Sequence, residues 1–331
     1  MSKEEFQNRK RRILSIDGGG ILGTFPAAFL ASLEASLEQP IGDYFDLIVG
    51  TSTGGIIALG LGMGLSANEV LQIYEKDGAK IFGHHSNKLV NFALNKARFI
   101  RWLYRRKYST ENLQKTLLKY FGGRKLGESK YRLAIPAWNP SSRSVYIYKT
   151  AHHERLTTDY KSPTIDAALA TSAAPTYFQQ YLTKEGVGLI DGGIWANNPI
   201  SVAVTEAIGL LQWSASDLYI LSLGCLNQAY SLPKAAGVGT LATKLVSLFM
   251  SGQSHGAMGM AKLLTGHQYE REAIFRVDHT IPTGKYSMDS VMAISELKGL
   301  GFSYAREEIP RLKPIFFTNP ADPFKPIHTL P

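Results

Sequence analysis

The chain's first ordered signal is a short apolar run, Arg12-Ile-Leu-Ser-Ile-Asp17, stopped by Gly18, Gly19 and Gly20. A run this short, bounded by glycine, predicts a strand buried on both faces and followed by a glycine loop. Phe29, Leu30, Leu33 and Leu37 then recur at spacings of three and four, which predicts a helix over Phe25–Leu37. Tyr44–Gly50 reads as a second buried strand and Ile56–Met63 as a buried helix. Strand, loop, helix, strand, turn, helix is the order of a mostly parallel sheet covered on both faces. The uncharged stretch Leu47–Asn68 is long enough to span a bilayer. Its central Thr51-Ser-Thr-Gly-Gly55 instead predicts a strand, a sharp turn and a helix, so membrane contact is expected to be peripheral.

Further along, residues 66–120 read as helical, Tyr131–Trp138 and Ser144–Tyr148 as strands, and Ile165–Thr171 as a short helix. Gly188–Asp191 reads as a strand ending at a glycine pair, Pro199–Leu211 as a helix and Leu218–Leu223 as a strongly apolar strand. Residues 240–265 and 289–308 read as helices. No internal repeat or low-complexity linker divides the chain. The expected organisation is a basic N-terminal arm over residues 1–11 and one domain over 12–331, with a mostly helical part from 226 to 331 packed on it.

Composition narrows the class. Of 331 residues, 44% are apolar, which is enough for a real core and excludes a disordered chain. Cys225 is the single cysteine, so a secreted disulfide framework is excluded and a reducing compartment is expected. The N-terminus carries basic residues without an apolar stretch behind them, which disfavours a signal peptide. With 36 Lys+Arg against 27 Asp+Glu, the net charge is +9, which favours an anionic partner: a membrane surface, a nucleotide or a nucleic acid.

The chemistry begins at Gly50-Thr51-Ser52-Thr53-Gly54, a G-x-S-x-G between a strand and a helix, the setting of a nucleophile elbow. The amides of the helix that follows favour negative charge at Ser52. Gly18-Gly-Gly-Ile-Leu-Gly23 matches the G-x-G-x-x-G of dinucleotide-binding loops. That reading needs an acidic residue at the end of the second strand. The second strand ends in Gly50-Thr51-Ser52, with Asp46 near its start. The other use of such a loop is a row of backbone amides that stabilises an oxyanion. Both loops leave the C-terminal ends of strands, where a parallel sheet can set them side by side. None of the eight histidines (His84, His85, His152, His153, His255, His267, His279 and His328) sits at an evident strand end with turn glycines. Asp191, before Gly192-Gly193, is either a strand-end base with a raised pKa or an ordinary Asp-Gly turn.

Together these motifs resemble the patatin-like phospholipases. The matching segments are Asp17-Gly-Gly-Gly20, Gly50-Thr-Ser-Thr-Gly-Gly55, Ala170-Thr-Ser-Ala-Ala-Pro-Thr-Tyr-Phe178 and Asp191-Gly-Gly-Ile-Trp-Ala-Asn-Asn-Pro199, in the family's order. The resemblance implies a three-layer α/β/α fold and a lipid acyl hydrolase with Ser52 as nucleophile and Asp191 as general base. It assigns oxyanion amides to Gly18, Gly19 and Gly20, and it requires neither metal nor cofactor. The family's pattern carries Arg or Lys where this chain has Leu22. The alternative is therefore a catalytically weak lipid-binding or storage protein. Bacterial members of the family include cyclic-nucleotide-activated phospholipases of anti-phage systems. The compact length, the lack of a signal and the Met250–Leu264 region resemble these, which implies a cyclic nucleotide activator.

Asn95–Lys107 places Arg98, Arg101, Arg105 and Arg106 with Trp102 on one helical side, and Phe99, Ile100, Leu103 and Tyr104 on the other. It reads as an interfacial membrane helix or as a core-packed surface helix with solvated arginines. Leu241–Leu264 reads as a lid or acyl-chain wall, or as ordinary core helices. With a lipid hydrolase implied, the +9 charge points first to an anionic inner-membrane surface, contacted peripherally from the cytoplasm, and second to a regulatory nucleotide. No nucleic acid is expected.

Overall fold

The apolar runs and the glycine punctuation together build one sheet. The structure, a computed structural model, describes residues 10–81, 108–175, 177–228, 245–269, 271–282, 285–286 and 288–331. The expected basic arm lies mostly outside the described residues, and the Asn95–Lys107 patch entirely so.

Strand β1 (Arg11–Ile16) pairs in parallel with β2 (Leu47–Gly50) on one side and β7 (Leu218–Leu223) on the other. β2 pairs in parallel with β3 (Leu133–Asn139), whose far edge carries antiparallel β4 (Ser144–Lys149). β6 (Gly188–Asp191) pairs antiparallel with β3, and β5 (Tyr181–Leu182) with β6. β9 (Ile274–Val277) adds in parallel to β7, closing the order β5-β6-β3-β2-β1-β7-β9. A separate small pair joins β8 (Asn227–Gln228) to β10 (Thr280–Ile281).

Alternation along the strands sorts side chains into two cores. Leu14, Ile16, Ile48, Leu221 and Leu223 face one, and Ile13, Leu47, Val49, Leu218 and Ile220 the other. The first core is covered by α1 (Thr24–Glu34), α2 (Thr53–Gly62), α3 (Ala67–Ile81), α4 (Thr110–Phe121), α5 (Thr164–Thr171) and α8 (Ile294–Phe316). The second is covered by α6 (Ile200–Thr205) and α7 (Leu245–Thr265), which turns Ala257 and Ala261 inward. This is the expected three-layer α/β/α architecture with a mostly parallel sheet. The Leu47–Asn68 stretch is divided among β2, α2 and the start of α3 as its glycines indicate, and no helix among the described residues is long and apolar enough to cross a membrane.

Two expectations differ from what is found. The mostly helical C-terminal part also contributes a sheet strand, β9, in the stretch between the two expected helices, where no element was expected. That run is four residues long and has Arg276 inside it, so it carries no clear apolar signal. The last helix starts at Ile294 and continues to Phe316 through Pro310 and Pro314. Each proline removes a backbone donor, which normally ends a helix. Both lie on the exposed side, while Leu312 and Phe316 are fully buried and Phe316 meets Phe275 edge-on with centroids 5.3 Å apart. Burial of that face outweighs the lost bonds.

Candidate active site

Two strand ends converge on one edge of β3. β4 occupies the other edge at both Ala134 and Ala137. On the free edge, Val49 of β2 pairs with Ala134, and Asp191 of β6 pairs with Ala137. β2 and β6 run in opposite directions, so their C-terminal ends point at each other across about 10 Å of β3, three residues of strand rise. Ser52 and Asp191 enter that gap from opposite sides.

Ser52 stands at a turn that glycine makes possible: a Cβ on Gly50 would sit 2.1 Å from the Gly54 carbonyl oxygen. The Ser52 backbone has φ 55° and ψ −121°, a conformation L residues rarely hold, costing on the order of 1–3 kcal/mol. α2 begins at the next residue and is buried throughout, so its N-terminal amides face the elbow. The Ser52 hydroxyl donates to Asp191 Oδ2 at 2.7 Å. The other carboxylate oxygen, Oδ1, accepts from the Gly193 amide at 2.7 Å. Asp191 is 5% exposed, and burial pushes its carboxyl up to about 6, against the downward pull of those two hydrogen bonds. Near neutral pH the group is ionised yet basic enough to take a proton. The Asp-Gly turn is also what aims the carboxylate at Ser52.

The end of α5 fills the gap and holds both partners. The Thr171 hydroxyl donates to the Pro136 carbonyl at 2.6 Å and accepts from the Ser52 amide at 2.9 Å. Two residues on, the Ala173 carbonyl accepts from the Asp191 amide at 3.1 Å. Thr171 belongs to a motif visible in the sequence, but a threonine followed by small residues carries no local signal of this bridging role. Thr171→Val keeps the shape and removes the hydroxyl, leaving the Ser52 amide and the Pro136 carbonyl unpaired. The expected cost is about 1–3 kcal/mol for each stranded group and, from a displaced Ser52, about 100-fold in turnover. Thr171→Ser is expected to keep most of both, and thermal unfolding with ester kinetics reads the difference.

The glycine loop does lie beside the elbow: a Cβ on Gly18 would be 3.0 Å from the Ser52 Cβ. Its amides are not equally open. Gly18 N–H donates to the Asn197 carbonyl at 2.9 Å, and Gly19 N–H to Thr53 Oγ1 at 3.1 Å. The Gly20 amide donates to no partner among the described residues. Leu22 is 3% exposed and packed in the first core, a position where a cation would be stranded.

No histidine among the described residues bonds to Ser52 or Asp191. His152 bonds Glu206 and Thr150, His267 accepts from the Ala273 and Ile274 amides, and His279 meets Tyr304. His84 and His85 lie outside the described residues. Among those described, no group of His, Cys, Asp or Glu could hold a metal ion.

The chain matches the family model for patatin-like phospholipase over residues 14–204. It is 34% identical to the cGAMP-activated phospholipase of Vibrio cholerae serotype O1, over 97% of this chain and 99% of that protein. Proteins of the same name from Pseudomonas aeruginosa and Escherichia coli are 33% and 32% identical. They align over 78% and 95% of this chain, and over 76% and 94% of their own lengths. With the family model covering more than half of the sequence and the relatives spanning nearly all of it, the chain belongs to the patatin-like phospholipase family.

Proposed function

We propose that the protein hydrolyses the acyl esters of membrane phospholipids through a Ser52–Asp191 dyad, and that a cyclic nucleotide switches it on. The observation that carries this reading is the 2.7 Å hydrogen bond from the Ser52 hydroxyl to Asp191 at a strained elbow. Asp191 takes the hydroxyl proton as Ser52 Oγ attacks the ester carbonyl carbon. The tetrahedral intermediate collapses, the C–O bond to the lysophospholipid breaks, and the departing alkoxide takes the proton back from Asp191. Water, losing its proton to Asp191, then attacks the acyl-enzyme, and the fatty acid leaves as Ser52 is regenerated.

In this reading the oxyanion meets the α2 N-terminus and the glycine loop. Gly20 N–H is the loop donor without a partner among the described residues, and rotation of the Thr53 side chain about χ1 moves Oγ1 away and releases Gly19 N–H. Gly18 N–H holds Asn197 in the form described, so the loop amides serve in part as structure. Those engaged amides fit a resting state. The relatives named cGAMP-activated phospholipases supply the class of activator, and the net charge of +9 suits peripheral docking on an anionic inner-membrane surface from the cytoplasm.

Two measurements test this. Because the base acts ionised, kcat/KM on a soluble ester is expected to fall about tenfold per pH unit below about 6 and to level off above it. Activity that stays flat down to pH 4 contradicts Asp191 as the base. Fatty-acid release from anionic vesicles is expected to rise sharply with cGAMP, and an unchanged rate at saturating nucleotide contradicts the activator.

A further inference from the structure

Position 22 has no cation, yet a guanidinium reaches the glycine loop from another part of the chain. Ser15 of β1, Ser222 of β7 and Arg276 of β9 lie in one register row on the second-core face of the sheet. From this row Arg276 reaches past β7 to the end of β1. It donates to Ser222 Oγ at 2.8 Å and forks onto Asp17, at 3.0 Å to Oδ1 and 2.6 Å to Oδ2. It also donates to Asp278 at 2.7 Å. Asp17 is the residue immediately before Gly18. Its amide donates to the Leu223 carbonyl at 2.9 Å, and its carbonyl accepts from the Cys225 thiol at 3.2 Å.

We propose that Arg276 is a positioning residue for the glycine loop: through Asp17 it sets where the Gly18–Gly20 amides stand beside Ser52, in place of a cation at position 22. The catalytic consequence rests on the dyad reading above. A bidentate guanidinium–carboxylate pair fixes angle as well as distance, so the fork orients the residue from which the loop departs. Burial pushes the Asp17 carboxyl up to about 6, and Arg276 is the opposing influence that favours its charge. Removing Arg276 leaves a buried carboxylate that must take up a proton or turn toward water, and either change releases the loop. The same stretch of chain makes a second tie, with Ile21 N–H donating to the Met288 carbonyl at 2.7 Å. Both ties come from beyond residue 204, where the family match ends.

The test compares Arg276→Gln, Arg276→Lys and Asp17→Asn with the full-length wild type. It reads soluble-ester kinetics, fluorophosphonate labelling of Ser52 and hydrogen–deuterium exchange over residues 17–23. Arg276→Gln is expected to lower kcat about 100-fold, the cost of a catalytic group moved by about 1 Å. KM should change little, and residues 17–23 should exchange faster. Arg276→Lys should recover part of kcat, since it restores charge without the fork. Asp17→Asn should reproduce the loss, and the double variant should lose no more than the worse single one. If Arg276→Gln does not fold, Arg276→Lys and Asp17→Asn decide the matter by the same readings. Wild-type kcat with wild-type exchange in a folded variant overturns the proposal. If the wild type itself, with cGAMP present, neither hydrolyses ester nor labels at Ser52, the dyad reading fails, and the exchange comparison still decides the clamp.

Discussion

Ser52→Ala protein is expected to release no measurable fatty acid from phospholipid vesicles, with or without cGAMP, a loss of about 10⁶ in turnover for a removed nucleophile. The fold is expected to survive, because the elbow is held by groups other than the hydroxyl. The Ser52 amide is held by Thr171, its carbonyl accepts from the Ile56 amide at 3.0 Å, and the Thr51 hydroxyl donates to Ala196 at 2.6 Å. Circular dichroism of the variant should match wild type, and thermal unfolding should shift by no more than the loss of the donor to Asp191 Oδ2, about 1–3 kcal/mol. Residual hydrolysis near the wild-type rate by clean, folded Ser52→Ala protein contradicts the dyad.

Asp191→Asn trades activity for stability. An asparagine keeps the carboxylate's outline and can still accept from the Gly193 amide, but it does not act as a base, so kcat should fall about 10²–10⁴-fold. The stability change follows from linkage. The folded carboxyl, at about 6, lies above its unperturbed 3.8, so the folded state binds more protons between those values. Ionised Asp191 therefore costs the fold nothing below 3.8 and its full amount above 6, about 3 kcal/mol for a buried group with this shift. Denaturant unfolding should find Asp191→Asn more stable than wild type at pH 8, with the advantage shrinking toward pH 4. A variant less stable than wild type at pH 8 contradicts the desolvated-base account. A site that weakens its own fold is expected where a carboxylate must be both dry and charged.

Much of the site was legible because its parts are local. The run into Asp17, the three glycines after it and the G-x-S-x-G each announce a strand, a turn and a helix within about ten residues. What was not legible is non-local. Nothing in the sequence says that β2 and β6 share one edge of β3, and it is this sharing that turns Gly188–Asp191 from a strand with a turn into the partner of Ser52. Thr171 was in view as part of a motif, but its work depends on the gap between those strand ends. β9 was hidden for a different reason. Its Arg276 is a charged, partly buried residue on the strand that ends the sheet, tolerated because Asp17 and Asp278 pair with it. The same side chain that obscured the strand is the one that reaches the glycine loop. Leu22, read as a missing cation, is a core residue, and the cation stands on β9.

The most direct measurement of the central claim is to trap the acyl-enzyme's address. Wild-type protein is treated with a lipid-chain fluorophosphonate in the presence of cGAMP, and the adduct is mapped by tandem mass spectrometry. A single adduct on Ser52, formed at a greatly reduced rate in Asp191→Asn protein, is the expected result. Phospholipid hydrolysis by a folded protein that carries no adduct on Ser52, or carries it on another residue, contradicts the account.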